Sequence, residues 1–547
     1  MYVFLYMGKP GKQPTNIFEQ NVEEMFTIYD LQRMTIGDLI KRLELYRETT
    51  DKPEVLVGRI LTPLLDRIQT IANLGLGHLN LHRQIDTLSG GEIQRLRLAK
   101  QLGNKLTGII YVLDEPTIGL DDREIERTIA AIKSLKDMGN TILVVEHNEA
   151  FIKASDRVVE IGPGSGDFGG HLLFSGPYEK FVKSSTLTAD YITGKKFIDV
   201  TFEHTPDDKW IKVKKASQNN LQDIDVNFRL GAFSIITGPS GAGKTTLMFD
   251  TLFKFFEEKT KFVQGWIRLQ LLKRGMSWSE IVASPVMKRE EYSNLENLAV
   301  QEFYSTIGVE TITGYDKVDN VIYVDQTSIG KTPRSCPGTF IGTFDNIRKI
   351  FAGTDQAKFM GFQAGHFSFN SSKGACPACE GYGYKKVELQ FLPDTYVPCE
   401  LCHGKRYKSE ILSIYRHGNN VSDILEMYVY QAYELFKDIG FIADELKLMV
   451  DIGLGYLKMG QPAHTLSGGE SQRIKLVKHL LKQYRGHTIY FLDEPTVGLH
   501  PSDIEKLLLV LKQFLNKGDT ILMIEHDKTL LKFADEVIYL EMGKVKK

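Results

Sequence analysis

One glycine-rich segment carries the residue types that bind phosphate. Gly238-Pro-Ser-Gly-Ala-Gly-Lys-Thr245 has the spacing G-x-x-x-x-G-K-[ST] and follows an apolar run, Phe233–Thr237. The run predicts a strand that turns into a helix near Thr245, so backbone N–H groups and the positive helix end would face the phosphates. Lys244 is expected to reach the β- and γ-phosphates, and Thr245 to ligate Mg²⁺. The full predicted set is Gly238, Ser240, Gly241, Gly243, Lys244, Thr245 and Thr246.

Two later apolar runs supply the remaining side chains of such a site. The run Ile489–Thr496 predicts a strand that delivers Asp493 to Mg²⁺ and Glu494 to an attacking water. The run Thr520–His526 predicts a second strand, which brings His526 to the γ-phosphate. A chance glycine turn is an alternative for the first motif alone, but it does not explain three motifs in order.

The peptide LSGGE occurs twice, each time before an apolar run that ends in LDEPT and a later Glu-His pair. The distance from the aspartate to the histidine is 33 residues in both copies. One unit has therefore been used twice. Its first copy contains Ser89, Gly90, Gly91, Asp114, Glu115 and His147, and its second contains Ser467, Gly468 and Gly469 ahead of Asp493, Glu494 and His526.

LSGGE is similar to the signature of the ATP-binding cassette ATPases. In that class the nucleotide lies between the P-loop of one domain and the LSGGE of another. The resemblance implies an α/β fold with mostly parallel sheets, helical signature subdomains, and ligands at strand C-termini. It also implies that Ser89-Gly-Gly91 closes the site built on Lys244. Because the first copy has no P-loop in this chain, we expect only this site to turn over ATP.

Length, composition and hydropathy exclude several classes. The 547 residues predict about three or four domains. No run of about 18 uncharged apolar residues exists, and the N-terminus lacks the features of a signal peptide, so we expect a cytoplasmic protein without membrane spans. The net charge of −2 requires any nucleic-acid surface to be a local patch.

Four of the five cysteines form two close pairs. Cys376 and Cys379 are separated from Cys399 and Cys402 by 19 residues, which is the spacing of a tetrahedral Zn²⁺ site. Two disulfides are the alternative interpretation. A catalytic zinc is disfavoured because four thiolates leave no open position, and Cys336 is expected to be a plain thiol.

The stretch around the cysteines carries a more specific resemblance. The segments Val324–Ser335, Gly338–Asp345 and His366–Asn370, with Asn219-Asn-Leu221 and Ile161–Gly170, resemble UvrA, the damage-recognition ATPase of bacterial nucleotide excision repair. The resemblance covers nearly the whole chain from about Met34. It implies a protein that depends on ATP, Mg²⁺ and Zn²⁺, binds damaged double-stranded DNA, works as a homodimer, is not itself a nuclease, and hands DNA to a UvrB-like helicase.

The chain also departs from that family. Its first copy has no G-x-x-x-x-G-K-[ST] segment, because Lys244 lies 249 residues before Asp493 and its counterpart would precede Met1. The P-loop reads GPSGAGKTT instead of the usual GVSGSGKSS, and Asp121 stands where the second copy has His500. The sequence therefore predicts a shortened or truncated member, which lacks the upstream P-loop and the partner-docking domain.

The motifs divide the chain into segments. The predicted order is a remnant of the first signature subdomain (1–87), the back half of the first cassette (88–180), a connector (181–210), the P-loop part of the second cassette (211–250), an insertion of uncertain role (251–325), a DNA-binding and zinc module with the second signature subdomain (326–465), and the acidic and histidine strands (466–547).

Basic residues near the cysteines are the candidate DNA contacts. Lys331, Arg334 and Arg348 precede the zinc module, and Lys385, Lys386, Lys405 and Arg406 lie within it. Contacts of this type fix position on phosphates without reading sequence. The sequence leaves three alternatives to a repair ATPase: a paralogue that clears DNA-bound intercalating drugs, a DNA-binding scaffold that does not hydrolyse ATP, and an inert gene fragment.

Overall fold

The computed structural model describes residues 4–5, 26–49, 57–85, 88, 90–103, 107–117, 119–164, 169–274, 289–325, 327–330, 332, 334–387, 395–482 and 484–546. The chain divides into two compact units. The first comprises residues 1–158 and 238–242, and the second comprises residues 159–237 and 243–547.

The strands are, in chain order, β1 Phe4–Leu5, β2 Phe26–Thr27, β3 Ile110–Asp114, β4 Thr141–Val145, β5 Val158–Gly162, β6 His171–Gly176, β7 Trp210–Ala216, β8 Ile224–Arg229, β9 Phe233–Thr237, β10 Thr311–Thr313, β11 Asn320–Val324, β12 Tyr384–Val387, β13 Thr395–Pro398, β14 Thr488–Asp493, β15 Thr520–Ile524, β16 Glu536–Glu541 and β17 Lys544–Lys546.

The helices of the first unit are Ile28–Arg33, Ile36–Thr49, Val57–Leu61, Thr62–Ile71, Ala72–Leu76, Gly90–Gly103, Asp122–Asp137 and Glu149–Ala154. Those of the second unit are Tyr178–Phe181, Leu187–Ile192, Thr246–Phe253, Lys254–Lys273, Arg289–Thr306, Tyr315–Lys317, Pro337–Ile341, Thr343–Ala352, Asp355–Phe359, Ala364–Phe367, Ser409–Leu412, Val421–Glu426, Val429–Leu435, Gly440–Asp451, Ala463–Thr465, Gly468–Leu481, Pro501–Asn516 and Lys528–Leu531.

A six-stranded sheet organises the second unit. Its order is β11-β14-β15-β9-β16-β17, and every pairing is parallel except that of β16 with β17. Strands β9 and β15 are buried throughout, which is why their sequences are continuous apolar runs and not alternating ones. The predicted parallel sheet with both ligand-bearing strands is confirmed.

The register of this sheet aligns the strand ends. Asp493 at the end of β14 pairs with Ile524 of β15, and Ile524 pairs with Ile236 of β9. The segments that follow these three strands therefore leave the sheet at the same edge. Nearer the other end of β14, Tyr490 packs on Phe514 of the helix Pro501–Asn516, with the ring centroids 4.0 Å apart.

The predicted insertion 251–325 is built from several different elements. The helix Lys254–Lys273 continues directly from the helix after the P-loop and packs against Arg289–Thr306. β10 joins β7 and β8 in a three-stranded antiparallel sheet, and β11 joins β14 of the parallel sheet. The end of this segment is therefore part of the cassette core.

The first unit contains the matching back half of a cassette. β3 and β4 pair in parallel, and the register places Asp114 opposite Val145, as Asp493 is opposite Ile524 in the second unit. Among the described residues, no further strand pairs with β3 or β4. Their outward side chains are correspondingly exposed, for example Val112 at 70 %.

The same hydrogen bond occurs within each of the two signature subdomains. Arg95 Nη1 donates to the Leu74 carbonyl (3.3 Å), and Arg473 Nη1 donates to the Ile452 carbonyl (3.4 Å). Each acceptor lies 21 residues before its arginine. The internal repeat seen in the sequence therefore extends to side-chain hydrogen bonds.

Asp121 in the first copy and His500 in the second occupy the same position, and both cap a helix. Asp121 caps the helix Asp122–Asp137 by accepting from the Glu124 N–H (2.9 Å). His500 caps Pro501–Asn516, with its Nδ1 accepting from the Ser502 N–H (3.3 Å). Both residues satisfy an N–H group that the helix itself leaves unpaired.

In the part of the chain that the structure describes, no helix combines the length and the apolar character needed to cross a bilayer.

Candidate nucleotide site and zinc centre

The predicted P-loop leaves the end of β9 in a conformation that requires glycine. Gly238, Gly241 and Gly243 all have positive φ, at 138°, 74° and 99°. A Cβ on Gly243 would lie 2.7 Å from Leu221 Cδ2, so the loop also packs too closely for any side chain there. Lys244 is 7 % exposed at the start of the following helix.

The ends of the loop are held by polar side chains. Ser240 Oγ accepts from Arg95 Nη2 at 3.1 Å, both residues belonging to the first unit. Asn219 Nδ2 donates to Thr246 Oγ1 (3.3 Å) and to Asp250 (3.1 Å). The Asn219-Asn-Leu221 segment therefore supports the P-loop from its outer side. Thr245 is exposed, which leaves its hydroxyl accessible to a metal ion.

Asp493 lies at the C-terminal end of β14 and is largely enclosed. Burial raises its pKa to about 6, with the Lys244 ammonium acting in the opposite direction and Asp325 adding to the rise. A carboxylate held in this way gains by binding a cation, because the cation replaces the lost hydration. The arrangement suits the Mg²⁺ ligand predicted from the sequence.

Glu494 and His526 come together from neighbouring strand ends. Glu494 Oε1 lies 3.7 Å from His526 Nε2, and their side chains are 22 % and 12 % exposed. Glu494 has a φ of 42°, which costs free energy for a residue with a Cβ, and its N–H donates to the Ile524 carbonyl (3.0 Å).

Sequence reasoning missed a residue that ties the second signature helix to the sheet. Gln472 Nε2 donates to the carbonyls of Val324 (3.1 Å) and Asp493 (2.9 Å), the last residues of β11 and β14. Gln472 is 1 % exposed. A glutamine two residues after LSGGE in both copies was the only available sequence signal, since its partners lie far away along the chain.

The second signature begins its helix with a capping box. Ser467 Oγ accepts from the Glu470 N–H (3.2 Å), and Glu470 Oε2 accepts from the Ser467 N–H (2.8 Å). Gly468 and Gly469 form the first turn of the helix Gly468–Leu481. Of the first signature, Ser89 lies outside the described residues, and Gly90 and Gly91 begin the helix Gly90–Gly103.

The first cassette brings its three predicted residues to matching strand ends. Asp114 ends β3, Glu115 follows it with a φ of 45°, and His147 lies just beyond β4. Burial raises the pKa of Glu115, and the carboxylates of Asp114 and Glu146 add to this effect. Asp114 and His147 are exposed, unlike their counterparts.

The four paired cysteines converge on one point. Their Sγ atoms all lie within 4.8 Å of one another, with 3.9 Å from Cys376 to Cys399 and 3.6 Å from Cys379 to Cys402. Zn–S bonds of about 2.3 Å in a tetrahedron require S···S distances of roughly 3.8 Å. The cluster therefore fits Zn²⁺, and separations this long exclude disulfide bonds within it.

Backbone N–H groups around the cluster donate to its sulfur atoms. Glu380 and His403, which follow the second cysteine of each pair, both have a φ of 49°. The Gly383 N–H donates to Cys379 Sγ at 3.2 Å. Burial raises the pKa of Cys399, but N–H groups of Cys402 and Leu401 outweigh it and lower that pKa to about 7.

The candidate DNA contacts have varied surroundings. Arg334 Nη1 donates to the Glu380 carbonyl (3.1 Å), and its guanidinium lies 5.0 Å from the Tyr382 ring centre. Arg348 forms an ion pair with Asp345. Lys331 lies outside the described residues.

Within the zinc module itself, Lys385, Lys386 and Lys405 are exposed. Arg406 is only 8 % exposed and donates to the Gly460 carbonyl at 2.9 Å. Its prediction as a surface contact was wrong, because the carbonyl and the Phe369 ring enclose it.

The chain is similar to known proteins over most of its length. No family model matches it. UvrABC system protein A of Aquifex aeolicus is 43 % identical over 522 residues, which are 94 % of this chain and 52 % of that protein. The protein of the same name from Bacillus subtilis is 43 % identical over 493 residues, 90 % of this chain and 47 % of that one.

A solved structure agrees with these relatives. The crystal structure of UvrA2 from Deinococcus radiodurans superposes with a TM-score of 0.79 at 36 % identity, covering 94 % of this chain and 59 % of that one. The chain belongs to the UvrA family. It spans about half the length of the curated relatives it matches. The UvrA family fold, which combines cassettes with a parallel sheet, is thereby confirmed.

Replacing one cluster cysteine should release the metal. We expect purified protein to carry about one Zn²⁺ per chain and Cys399→Ser to lose most of it, because three thiolates bind zinc far more weakly than four. Cys336→Ser is the matched control, since this buried cysteine lies outside the cluster. Mass spectrometry of the metal content measures the zinc bound per chain. If wild-type protein prepared without chelators carries no zinc, the assignment is wrong.

Acid should weaken binding of Mg²⁺-nucleotide. Because the pKa of Asp493 is raised to about 6, a proton competes with Mg²⁺ below that pH. Between pH 7.5 and pH 5 the ionised fraction falls about tenfold, and the affinity should fall accordingly. Binding titrations with a fluorescent nucleotide measure this affinity at each pH. The Asp493→Asn variant reports the pH dependence that comes from the nucleotide alone. Equal pH dependence in both proteins would show that Asp493 is not the titrating group.

Proposed function

We propose that this chain hydrolyses ATP with Mg²⁺ at its second cassette and binds DNA as a zinc-containing protein of the damage-recognition type. The observation that carries the proposal is the convergence of Lys244, Asp493, Glu494 and His526 at the aligned ends of β9, β14 and β15. Membership of the UvrA family supports the DNA part.

Each residue has a chemical role in this proposal. Lys244 and the P-loop amides bind the β- and γ-phosphates, and Thr245 with Asp493 holds Mg²⁺. Glu494 orients the attacking water, and His526, whose Nε2 lies 3.7 Å from Glu494 Oε1, senses the γ-phosphate. Mg²⁺ supplies charge neutralisation on the phosphates when it is bound.

The zinc module supports a DNA surface. Zn²⁺ would be held by Cys376, Cys379, Cys399 and Cys402 and would fix the fold of the hairpin β12–β13. The exposed Lys385 and Lys386 lie on one strand of that hairpin. Lysines on a metal-braced hairpin suit phosphate contacts, so recognition of damage would depend on the deformability of the duplex.

The name shared by the relatives, UvrABC system protein A, describes a component of a multiprotein system. We extend this to the present chain as a proposal: it acts with double-stranded DNA, a UvrB-like partner and a second copy of itself, in the cytoplasm. We also propose that this chain hydrolyses ATP with a single complete P-loop and that the protein is not itself a nuclease.

Steady-state ATPase assays test the catalytic assignment. Lys244→Ala should abolish hydrolysis by removing the phosphate clamp, and Glu494→Gln should lower kcat by at least about a hundredfold while nucleotide still binds. Lys437→Ala and Glu434→Gln alter an exposed ion pair and serve as controls. Wild-type protein that binds ATP without turnover would instead support the non-hydrolysing scaffold.

Fluorescence anisotropy with undamaged duplexes tests the DNA assignment. Affinity should fall steeply with salt and differ little between sequences, because phosphate contacts release counterions. The double variant Lys385→Glu with Lys386→Glu should weaken binding at least about tenfold and lower the salt slope by about 2. Lys437→Glu, a 60 % exposed lysine, is the control. If the double variant binds DNA as tightly as wild type, DNA does not bind at Lys385 and Lys386.

A further inference from the structure

The residue before each sensor histidine is a glutamate that the assigned roles leave unused. Glu525 precedes His526, and Glu146 precedes His147. Glu525 is 3 % exposed. Among the described residues, no lysine, arginine or histidine side chain forms an ion pair with it. A carboxylate so placed has to be stabilised by hydrogen bonds.

Glu525 holds two loops at once. Its Oε1 accepts from the Thr496 N–H (2.9 Å) and from the Thr496 hydroxyl. Its Oε2 accepts from the N–H groups of His526 (2.8 Å) and Asp527 (3.3 Å). One oxygen therefore binds the loop after β14, and the other binds the loop after β15.

The first cassette repeats this arrangement. Glu146 Oε1 accepts from the Thr117 N–H (3.0 Å) and hydroxyl, and Glu146 Oε2 accepts from the N–H groups of His147 (2.9 Å) and Asn148 (3.0 Å). In both copies the residue before this glutamate, Val145 or Ile524, accepts a hydrogen bond from the N–H of a glutamate with positive φ, Glu115 or Glu494. Both copies of the repeated unit keep these hydrogen bonds although their other surroundings differ.

Only a carboxylate satisfies all four donors. Glutamine offers one acceptor oxygen, so its amide group would face two N–H groups with its own hydrogens. Burial raises the pKa of Glu525, while the hydrogen bonds from Thr496 and His526 lower it. Glutamate at this position therefore costs desolvation and gains four hydrogen bonds, which fix both loops.

We propose that Glu525 is the positioning residue that sets the distance between Glu494 and His526. Thr496 lies two residues after Glu494, so the carboxylate fixes the loop that carries the water-orienting group. The same side chain fixes the backbone of the sensor histidine. Glu525 acts through these two loops, since all four of its hydrogen bonds are to their residues. This inference rests on the proposed hydrolysis at the second cassette.

The kinetic test compares Glu525→Gln with Asp519→Asn. Asp519 precedes β15 at its opposite end, is 7 % exposed, and accepts from the Thr488 N–H (3.0 Å), so it is also a buried, hydrogen-bonded carboxylate but does not contact the loops after β14 and β15. Glu525→Gln should lower kcat about tenfold or more and change the KM for ATP less than about threefold, because the P-loop is intact. Asp519→Asn should leave kcat within about twofold of wild type, even where thermal stability falls.

A second readout does not depend on hydrolysis. Histidine-selective NMR, assigned with His526→Gln, should show a shifted His526 resonance in Glu525→Gln and an unchanged one in Asp519→Asn. Thr496→Val, which removes only the hydroxyl donor, should give an intermediate kcat. If Glu525→Gln leaves both kcat and the His526 resonance as in wild type, the inference is wrong. If wild-type protein fails to hydrolyse ATP, the proposed function is wrong, and the His526 resonance still decides the role of Glu525.

Discussion

The parallel pairing of β9, β15 and β14 is the constraint on which the functional geometry depends. In a parallel sheet, strands that are distant in sequence end at the same edge, and here the register sets Ile236, Ile524 and Asp493 side by side. The aligned strand ends bring the P-loop, the acidic loop and the histidine loop to one edge of the sheet. Continuous burial of these strands stabilises the pairing. The loops are then adjusted by short polar contacts, such as that of Gln472 with the end of β14.

The zinc cluster supports a different part of the second unit. Arg334 bonds to the Glu380 carbonyl in the first cysteine turn. The Ala463 N–H donates to the Ser335 carbonyl (2.9 Å), and the ring of His464 lies 5.6 Å from that of Tyr396 on the zinc hairpin. The segment Ala463–Thr465 leads directly into Ser467. The zinc hairpin and the second signature are therefore held by a continuous set of contacts.

Much of the fold could be predicted because its signals are local. The apolar run before the P-loop predicted β9 with its observed bounds. The P-loop glycines and cysteine pairs have spacings that only a few structures satisfy. The segment 251–325 could not be assigned, because β11 becomes part of the core only by pairing with β14, well over a hundred residues later. Glu525 was missed and Arg406 was wrongly assigned for the same reason, since their partners come from distant loops.

Hydrogen exchange tests most directly whether the three loops bind one ligand. Amides of residues 238–246, 494–497 and 525–527 should become protected together when a non-hydrolysable ATP analogue and Mg²⁺ are added, since in the proposed site each loop would contact the phosphates or the metal. Lys244→Ala should remove the protection from all three segments at once. Protection confined to one segment, or unaffected by Lys244→Ala, would contradict the account that the aligned ends of β9, β14 and β15 form a single nucleotide site.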